Sequence, residues 1–149
     1  MNRKIILILL VIFLVPLLAS CGGEEKEEVE LPEISEFAIE QATESIENND
    51  VVPDVNREII RDAHIKVTDK GDVIIAIQTI TEIPEEEAKE IGENAARLLA
   101  GLVEDLEGPS KDYLGEIYDY YNLKVGVGTD EKNFIVQGAK VKGAKKITW

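Results

Sequence analysis

The chain has 149 residues, and its 30 acidic and 16 basic side chains give a formal net charge of −14. This length allows one domain and is too short for two ordinary ones. The negative charge argues against a nucleic-acid partner, because phosphate binding requires Lys and Arg to neutralise charge. The single Cys excludes an intramolecular disulfide, so the fold must be held together by burial alone.

The first twenty residues have the layout of a signal peptide. Arg3 and Lys4 form a short basic segment. It is followed by an apolar run over residues 5–18 and then by the small residues Ala19 and Ser20. The apolar run is shorter than the roughly 20 residues that a transmembrane helix requires. We therefore predict that residues 1–20 are a cleaved signal peptide rather than a membrane span.

The residues at the end of this leader, Leu18-Ala19-Ser20-Cys21, resemble the lipobox of bacterial lipoproteins. The resemblance covers only residues 1 to about 22, and no family is recognised for the rest of the chain. It implies that a diacylglycerol alkylates the thiol of Cys21 and that this Cys becomes the first mature residue. Two or more acyl chains give stable attachment, since each buried methylene contributes about 0.8 kcal/mol. The implied location is extracytoplasmic, with the protein anchored to a cell membrane by lipid.

Two further segments follow the leader. Residues 21–31 begin with Gly22-Gly23 and continue with an acidic stretch of low apolar content, which predicts a flexible stalk. Residues 32–149 are predicted to form a single domain. Cleavage after residue 20 removes Arg3 and Lys4 and no acid, so it would take the formal charge from −14 to −16.

The first half of the domain predicts a helix followed by a β-hairpin. Apolar residues recur at three- and four-residue steps from Ser35, a helix-start residue, until the pattern stops at residues 48–50. Residues 58–68 alternate in polarity, as expected for a half-exposed strand. Residues 69–72 form a predicted turn with Gly71 at a position of positive φ, and the β-branched run 73–80 predicts a central strand.

The second half predicts the same order of elements. Pro84 and three Glu residues begin a helix whose apolar stripe continues to Leu106 and ends at Gly108-Pro109. Residues 110–121 are ambiguous, because their apolar spacing favours a short helix whereas their tyrosines favour a strand; we predict the helix. Residues 123–127 and 134–141 predict a second hairpin, and residues 144–149 predict a last edge strand.

This order predicts an α+β fold. Two αββ halves would form a two-layer sandwich, in which two main helices cover one face of a four-stranded, mainly antiparallel sheet.

The sequence predicts no catalytic, cofactor-binding or metal-binding residues. His64 is the only imidazole, and Asp62 and Lys66 lie beside it on the same strand face. A nucleophilic triad would also need an activated Ser or Cys, and Cys21 is assigned to lipid. The acidic turns lack the ligand spacing of a calcium loop, and no Lys-Ser/Thr pair follows the Gly-Val-Gly segment ending at Gly128.

Two clusters in the second half are candidates for contacts. The first comprises four tyrosines, which form either a partner surface or, as we favour, core packing with hydroxyl groups at the rim: Tyr113, Tyr118, Tyr120 and Tyr121. The second comprises four lysines, which we interpret as protection of an edge strand rather than a lipid-binding patch: Lys140, Lys142, Lys145 and Lys146.

The sequence therefore favours a lipid-anchored, non-catalytic binding or envelope-assembly module. Its expected partners are the membrane, through covalent lipid, and an unidentified envelope protein or ligand. One alternative is an extracytoplasmic hydrolase that uses acidic residues, which requires two carboxylates converging in a pocket. Another is a self-associating structural subunit, which requires a self-complementary patch on the sheet face or edge.

Overall fold

A computed structural model describes residues 30–54 and 56–149 of this chain. The predicted signal peptide, Cys21 and most of the predicted stalk lie outside the described residues. Leu31 already packs against the hydrophobic core, and the hydroxyl of Tyr121 donates to the carbonyl of Pro32 at 2.8 Å. The packed domain therefore includes Leu31, the last residue of the predicted stalk.

The first half folds as predicted, with helix α1 at Glu36–Glu47 and strands β1 at Ile60–Val67 and β2 at Asp72–Thr79. The Ser35 hydroxyl oxygen accepts the N–H of Ala38 at 3.2 Å and so caps α1. Gly71 has φ +80° in the turn of the hairpin, which confirms the predicted positive φ.

The second half contains helix α2 at Glu85–Leu102, the short helix α3 at Ile117–Tyr120, and strands β3 at Asn122–Gly128 and β4 at Phe134–Lys140. The last predicted strand forms only one isolated bridge, which joins Thr148 to Ala139. Among the described residues, no helix is long and apolar enough to cross a membrane.

Residues 103–116 differ from their prediction. Helix α2 ends at Leu102 rather than near Leu106, because Val103 is buried in an extended conformation. The helix predicted over 110–121 is reduced to α3, because Gly115 has φ +118° and a Cβ there would collide with Ala100. The side chain of Arg97 donates hydrogen bonds to the carbonyls of residues 110, 111 and 113.

The four strands form one sheet in the order β1-β2-β3-β4. Both hairpins are antiparallel, whereas the central pair β2–β3 is parallel because the chain crosses over through α2 between them. The predicted α+β fold with a mainly antiparallel sheet is confirmed, as is the interior position of the strand predicted over 73–80.

One face of the sheet forms the core with α1 and α2. Its side chains are mostly β-branched or Leu and almost completely buried: Ala63 and Ile65 of β1, Val73, Ile75 and Ile77 of β2, Leu123, Val125 and Val127 of β3, and Val136 of β4. The two helices contribute small and apolar residues to the same cluster, including Ala42, Ile46, Ile91 and Leu99. This face is called the core face below.

Trp149 packs between α2 and β4. A Cβ built on Gly92 would lie 2.8 Å from the Trp149 ring, and one built on Gly138 would lie 2.5 Å from it. Gly in a helix interior costs up to about 1 kcal/mol relative to Ala. The close approach of the indole explains why both positions nevertheless hold Gly.

Candidate functional site

The second face of the sheet, called the open face below, carries a different set of residues. Side chains alternate along a strand, so each strand that fills the core also presents residues on this side. The open face includes Asp62, His64 and Lys66 of β1, Ile74, Ala76 and Gln78 of β2, Lys124 and Gly126 of β3, and Gln137 and Ala139 of β4. Within the described part of the chain, both main helices pack on the core face instead.

A shallow trough lies on the open face, toward the ends of β2 and β3 that adjoin the β3–β4 turn. Its floor consists of small residues, because Ala76 is paired with Gly126 across the parallel strands and Gly128 follows two residues later. Phe134 and Gln78 contribute to its lining. The missing side chains along two central strands therefore create the concavity.

Gly128 is required by the backbone beside it. A Cβ at this position would collide with the carbonyl oxygen of Asn133, where the register of β3 and β4 shifts. Gln78 donates from Nε2 to the carbonyl of Thr129 at 2.7 Å, which fixes the start of the β3–β4 turn over the trough.

Asp130 lines the trough, but its carboxylate accepts hydrogen bonds from within the β3–β4 turn. Its Oδ1 accepts the N–H groups of Lys132 at 2.8 Å and Asn133 at 3.1 Å. These bonds, first of all that from Lys132, hold the pKa of the Asp130 carboxyl below its ordinary value. Asp130 is therefore an anion that shapes the turn.

His64 lines the trough on the β1 side, as its predicted outward position implies. Burial lowers the pKa of its imidazole below the ordinary 6.5; Lys66 lowers it further and Asp62 opposes the change. The ring is therefore mainly neutral at pH 7. No hydrogen bond joins its side chain to another described residue, and a neutral imidazole offers one donor and one acceptor.

Two carboxylates that no sequence pattern predicts as a pair converge at the outer edge of β1. The N–H of Ala63 donates to Oδ1 of Asp62 at 3.0 Å and to Oε1 of Glu47 at 3.4 Å. Burial and then a hydrogen bond with Asp62 raise the pKa of the Glu47 carboxyl above its ordinary value. Asp62 lines the trough, whereas Glu47 lies at the end of α1, contacts the edge of β1 and does not line the trough.

The four tyrosines do not form one surface. Tyr118 is fully buried and donates to the carbonyl of Ala96 at 2.7 Å, and Tyr121 is 5% exposed. Tyr113 and Tyr120 are half-buried, and neither lines the trough. Core packing, the alternative that the sequence favoured, describes Tyr118 and Tyr121, and the half-buried Tyr120 also packs against the core. A partner surface stays a prediction for the exposed parts of Tyr113 and Tyr120.

The prediction that all four C-terminal lysines protect an edge is wrong for Lys140. Its side chain points to the core face and is 4% exposed, because residue 140 is in phase with Val136 and Gly138. Its Nζ donates to the carbonyl of Tyr118 at 2.6 Å and lies 5.9 Å from the centre of the Tyr118 ring. Burial lowers the pKa of this ammonium. The other three lysines are exposed.

No group of three or more His, Cys, Asp or Glu residues is placed to hold a metal ion within the described ranges. The comparisons with known proteins give no relative. The chain matches no protein-family model, and neither the curated proteins nor the solved structures include a significant match to it.

Proposed function

We propose that this chain is a lipid-anchored, extracytoplasmic, non-catalytic binding module whose trough receives an apolar group of a partner with a cationic group beside it. The trough on the open face is the observation that carries this proposal. Its floor of Ala76, Gly126 and Gly128 offers shallow apolar contact, and small concave sites of this kind suit one inserted side chain.

The charge at the trough rim supports a cationic neighbour for that apolar group. Asp62 and Asp130 are acidic, the imidazole of His64 is mainly neutral at pH 7, and the whole chain carries −14. A basic partner is therefore attracted at long range and is paired at short range. An anionic partner would meet repulsion at both distances.

The pair of Glu47 and Asp62 favours the alternative function, a hydrolase that uses acidic residues. Two carboxyl groups that share a site can hold one proton between them, as general acid–base chemistry requires. However, both carboxylates accept the N–H of Ala63, and Glu47 does not line the trough. This engagement with the strand edge supports binding rather than catalysis as the proposal.

The anchor is tested by expressing the full chain in a bacterial host beside a Cys21→Ser variant. We expect an intact mass without residues 1–20 and with added acyl chains, found in the membrane fraction. The variant should lack the acyl mass and leave that fraction. An unprocessed wild-type chain without acyl mass would contradict the anchor.

The trough is tested by nuclear magnetic resonance with two blocked dipeptides, leucyl-lysine amide and leucyl-glutamate amide. The lysine peptide should shift the amide signals of Ala76, Gly126 and His64, and the glutamate peptide should not. Ala76→Leu fills the floor and should abolish these shifts. Ala139→Leu, the same change outside the trough on the same face, is the matched control. Equal shifts in both variants would contradict binding in the trough.

A further inference from the structure

Strand β1 is at the edge of the sheet, and within the described residues no strand pairs with its outer side. The N–H of Thr68 donates to the carbonyl of Asp72 at 2.9 Å, so even-numbered residues of this strand face β2 with their backbone groups. The N–H of Ala63 accordingly points outward and donates to side-chain carboxylates. The outward backbone groups of β1 are therefore those of Ala63, Ile65 and Val67.

Side chains of opposite charge lie at equal distances along β1 on either side of His64. Reading outward from His64, an apolar residue lies on each side, followed by Asp62 in one direction and Lys66 in the other. If a second β1 runs antiparallel with a two-fold axis at His64, Asp62 of each copy lies opposite Lys66 of the other. The same register places the outward N–H and C=O of Ala63 opposite those of Ile65 in the second copy. These two residues then form a hydrogen-bonded pair.

Neighbouring registers lack this match. The outward backbone groups of one β1 must pair with the outward backbone groups of the other. The two-fold axis can therefore move along β1 only in steps of one residue, and each step changes the partner of every residue by two positions. An axis at Lys66 places Lys66 against itself, and an axis at Ile65 places Lys66 opposite His64. Only the axis at His64 brings both acids opposite both ammonium groups.

We propose that this chain forms a two-fold dimer in which β1 pairs antiparallel with β1 of a second copy, with His64 on the axis. The two sheets become one eight-stranded sheet, and both troughs lie on its open face. Two contacts of the N–H of Ala63, with Asp62 at 3.0 Å and with Glu47 at 3.4 Å, are replaced by the carbonyl of Ile65 from the second copy. Asp62 is then free to pair with Lys66 of that copy. This inference does not depend on the lipid anchor or on ligand binding in the trough.

The charge of −14 on each copy opposes association at long range. At an ionic strength of 0.15 M, this repulsion is screened beyond about 8 Å. Cross-strand pairs of opposite charge lie closer than that and retain more of their attraction. Pairing of two exposed edges also satisfies backbone groups that otherwise remain available to other chains.

Disulfide cross-linking tests the axis directly. Residues opposite each other in a non-hydrogen-bonded antiparallel pair have Cβ atoms about 4.5–5.5 Å apart, close to the separation of a disulfide. The full chain carrying Cys21→Ser and His64→Cys has one thiol, and under mild oxidation it should form a dimer of twice the chain mass. The matched control is Gln137→Cys, which places the thiol on the open face of β4 and should remain monomeric.

Charge exchange tests the register. In the His64→Cys chain, Lys66→Glu puts two like-charged pairs across the axis and should reduce dimer formation about ten- to thirtyfold. Adding Asp62→Lys restores opposite charges and should restore the dimer. Lys145→Glu makes the same change of net charge at an exposed site away from β1 and should have little effect.

Three outcomes would overturn the proposal. Equal cross-linking at residues 64 and 137 would show that collisions are non-specific. A double exchange that fails to recover the dimer would rule out this register, provided that circular dichroism shows both variants folded. A disulfide from His64→Cys to a different polypeptide would assign the edge to another partner.

Discussion

The core face and the open face of the sheet are built from the same four strands and yet differ in almost every property. On the core face, Ile75 and Val125 are fully buried side chains that pack beneath the helices. One residue further along each strand, Ala76 and Gly126 leave a trough. The alternation of side chains lets a single strand supply both the packed core and the floor of the trough.

This difference shows where selection for stability can act without changing the site. A substitution on the core face alters packing, whereas its neighbour on the open face alters shape and charge at the surface. Adjacent residues on one strand are therefore natural experimental pairs, since they share backbone, register and distance from the strand ends.

The largest expected effect comes from such a pair, Ile75→Ala and Ile74→Ala. Ile75 is fully buried, and its truncation should cost about 2–5 kcal/mol of unfolding free energy because it leaves a cavity. Ile74 is half-buried on the open face, so its truncation should cost about 1 kcal/mol or less. Urea unfolding measures both, and equal losses would show that the open face is also packed as a core.

An intermediate effect concerns Lys140, the charged residue buried on the core face. Its folded pKa is lower than the unfolded value near 10.5, because burial penalises the ammonium form. The folded state thus loses its proton first as pH rises toward 10.5. The free energy of unfolding should increase over this interval relative to that of Lys140→Met, which cannot titrate.

This pH effect is measured by urea unfolding between pH 8 and 10.5, taken as the difference between the wild type and the variant. The difference removes the contribution of the tyrosines, which titrate in the same range. Lys142→Met, at an exposed lysine two residues away, is the control and should show no such difference. A flat difference for Lys140→Met would mean that its ammonium is solvated in the folded state.

The smallest expected effect is on the open face, at His64. Its folded pKa is below 6.5, so stability should fall as pH drops from 6.5 through the folded pKa. Lys66→Gln removes a cation and should raise the His64 pKa, whereas Asp62→Asn removes an anion and should lower it further. Titration of the ring proton by nuclear magnetic resonance follows this single imidazole. Shifts of the same sign in both variants would contradict the proposed charge environment.

The local patterns predicted most of the fold. The two main helices and both hairpins were predictable because each depends on a periodicity within one short segment. The loop over 103–116 was not, because its shape depends on Arg97 reaching three carbonyls from another element. The burial of Lys140 depends in the same way on the carbonyl of Tyr118, a distant partner.

The candidate site was less predictable than the fold. His64 was placed on the outward side of its strand by alternation alone. The trough floor, in contrast, consists of Ala76 and Gly126, which are adjacent only because β2 and β3 are parallel in one particular register. The pair of Glu47 and Asp62 likewise requires that the end of α1 meets the edge of β1. A single sequence contains no periodic signal for either juxtaposition.

The parallel pairing at the centre of the sheet also has a kinetic consequence. Each hairpin joins strands that are close in sequence, but β2 and β3 are separated by residues 80–121, so their contact must close a long loop. Non-local contacts of this kind slow folding, and we expect the two hairpins to form before the central pair. Because Ala76 and Gly126 meet only across that pair, neither hairpin alone contains the trough. Under the proposed function, competence to bind would then arise at the last step of folding, and partly folded chains would not compete for the proposed partner.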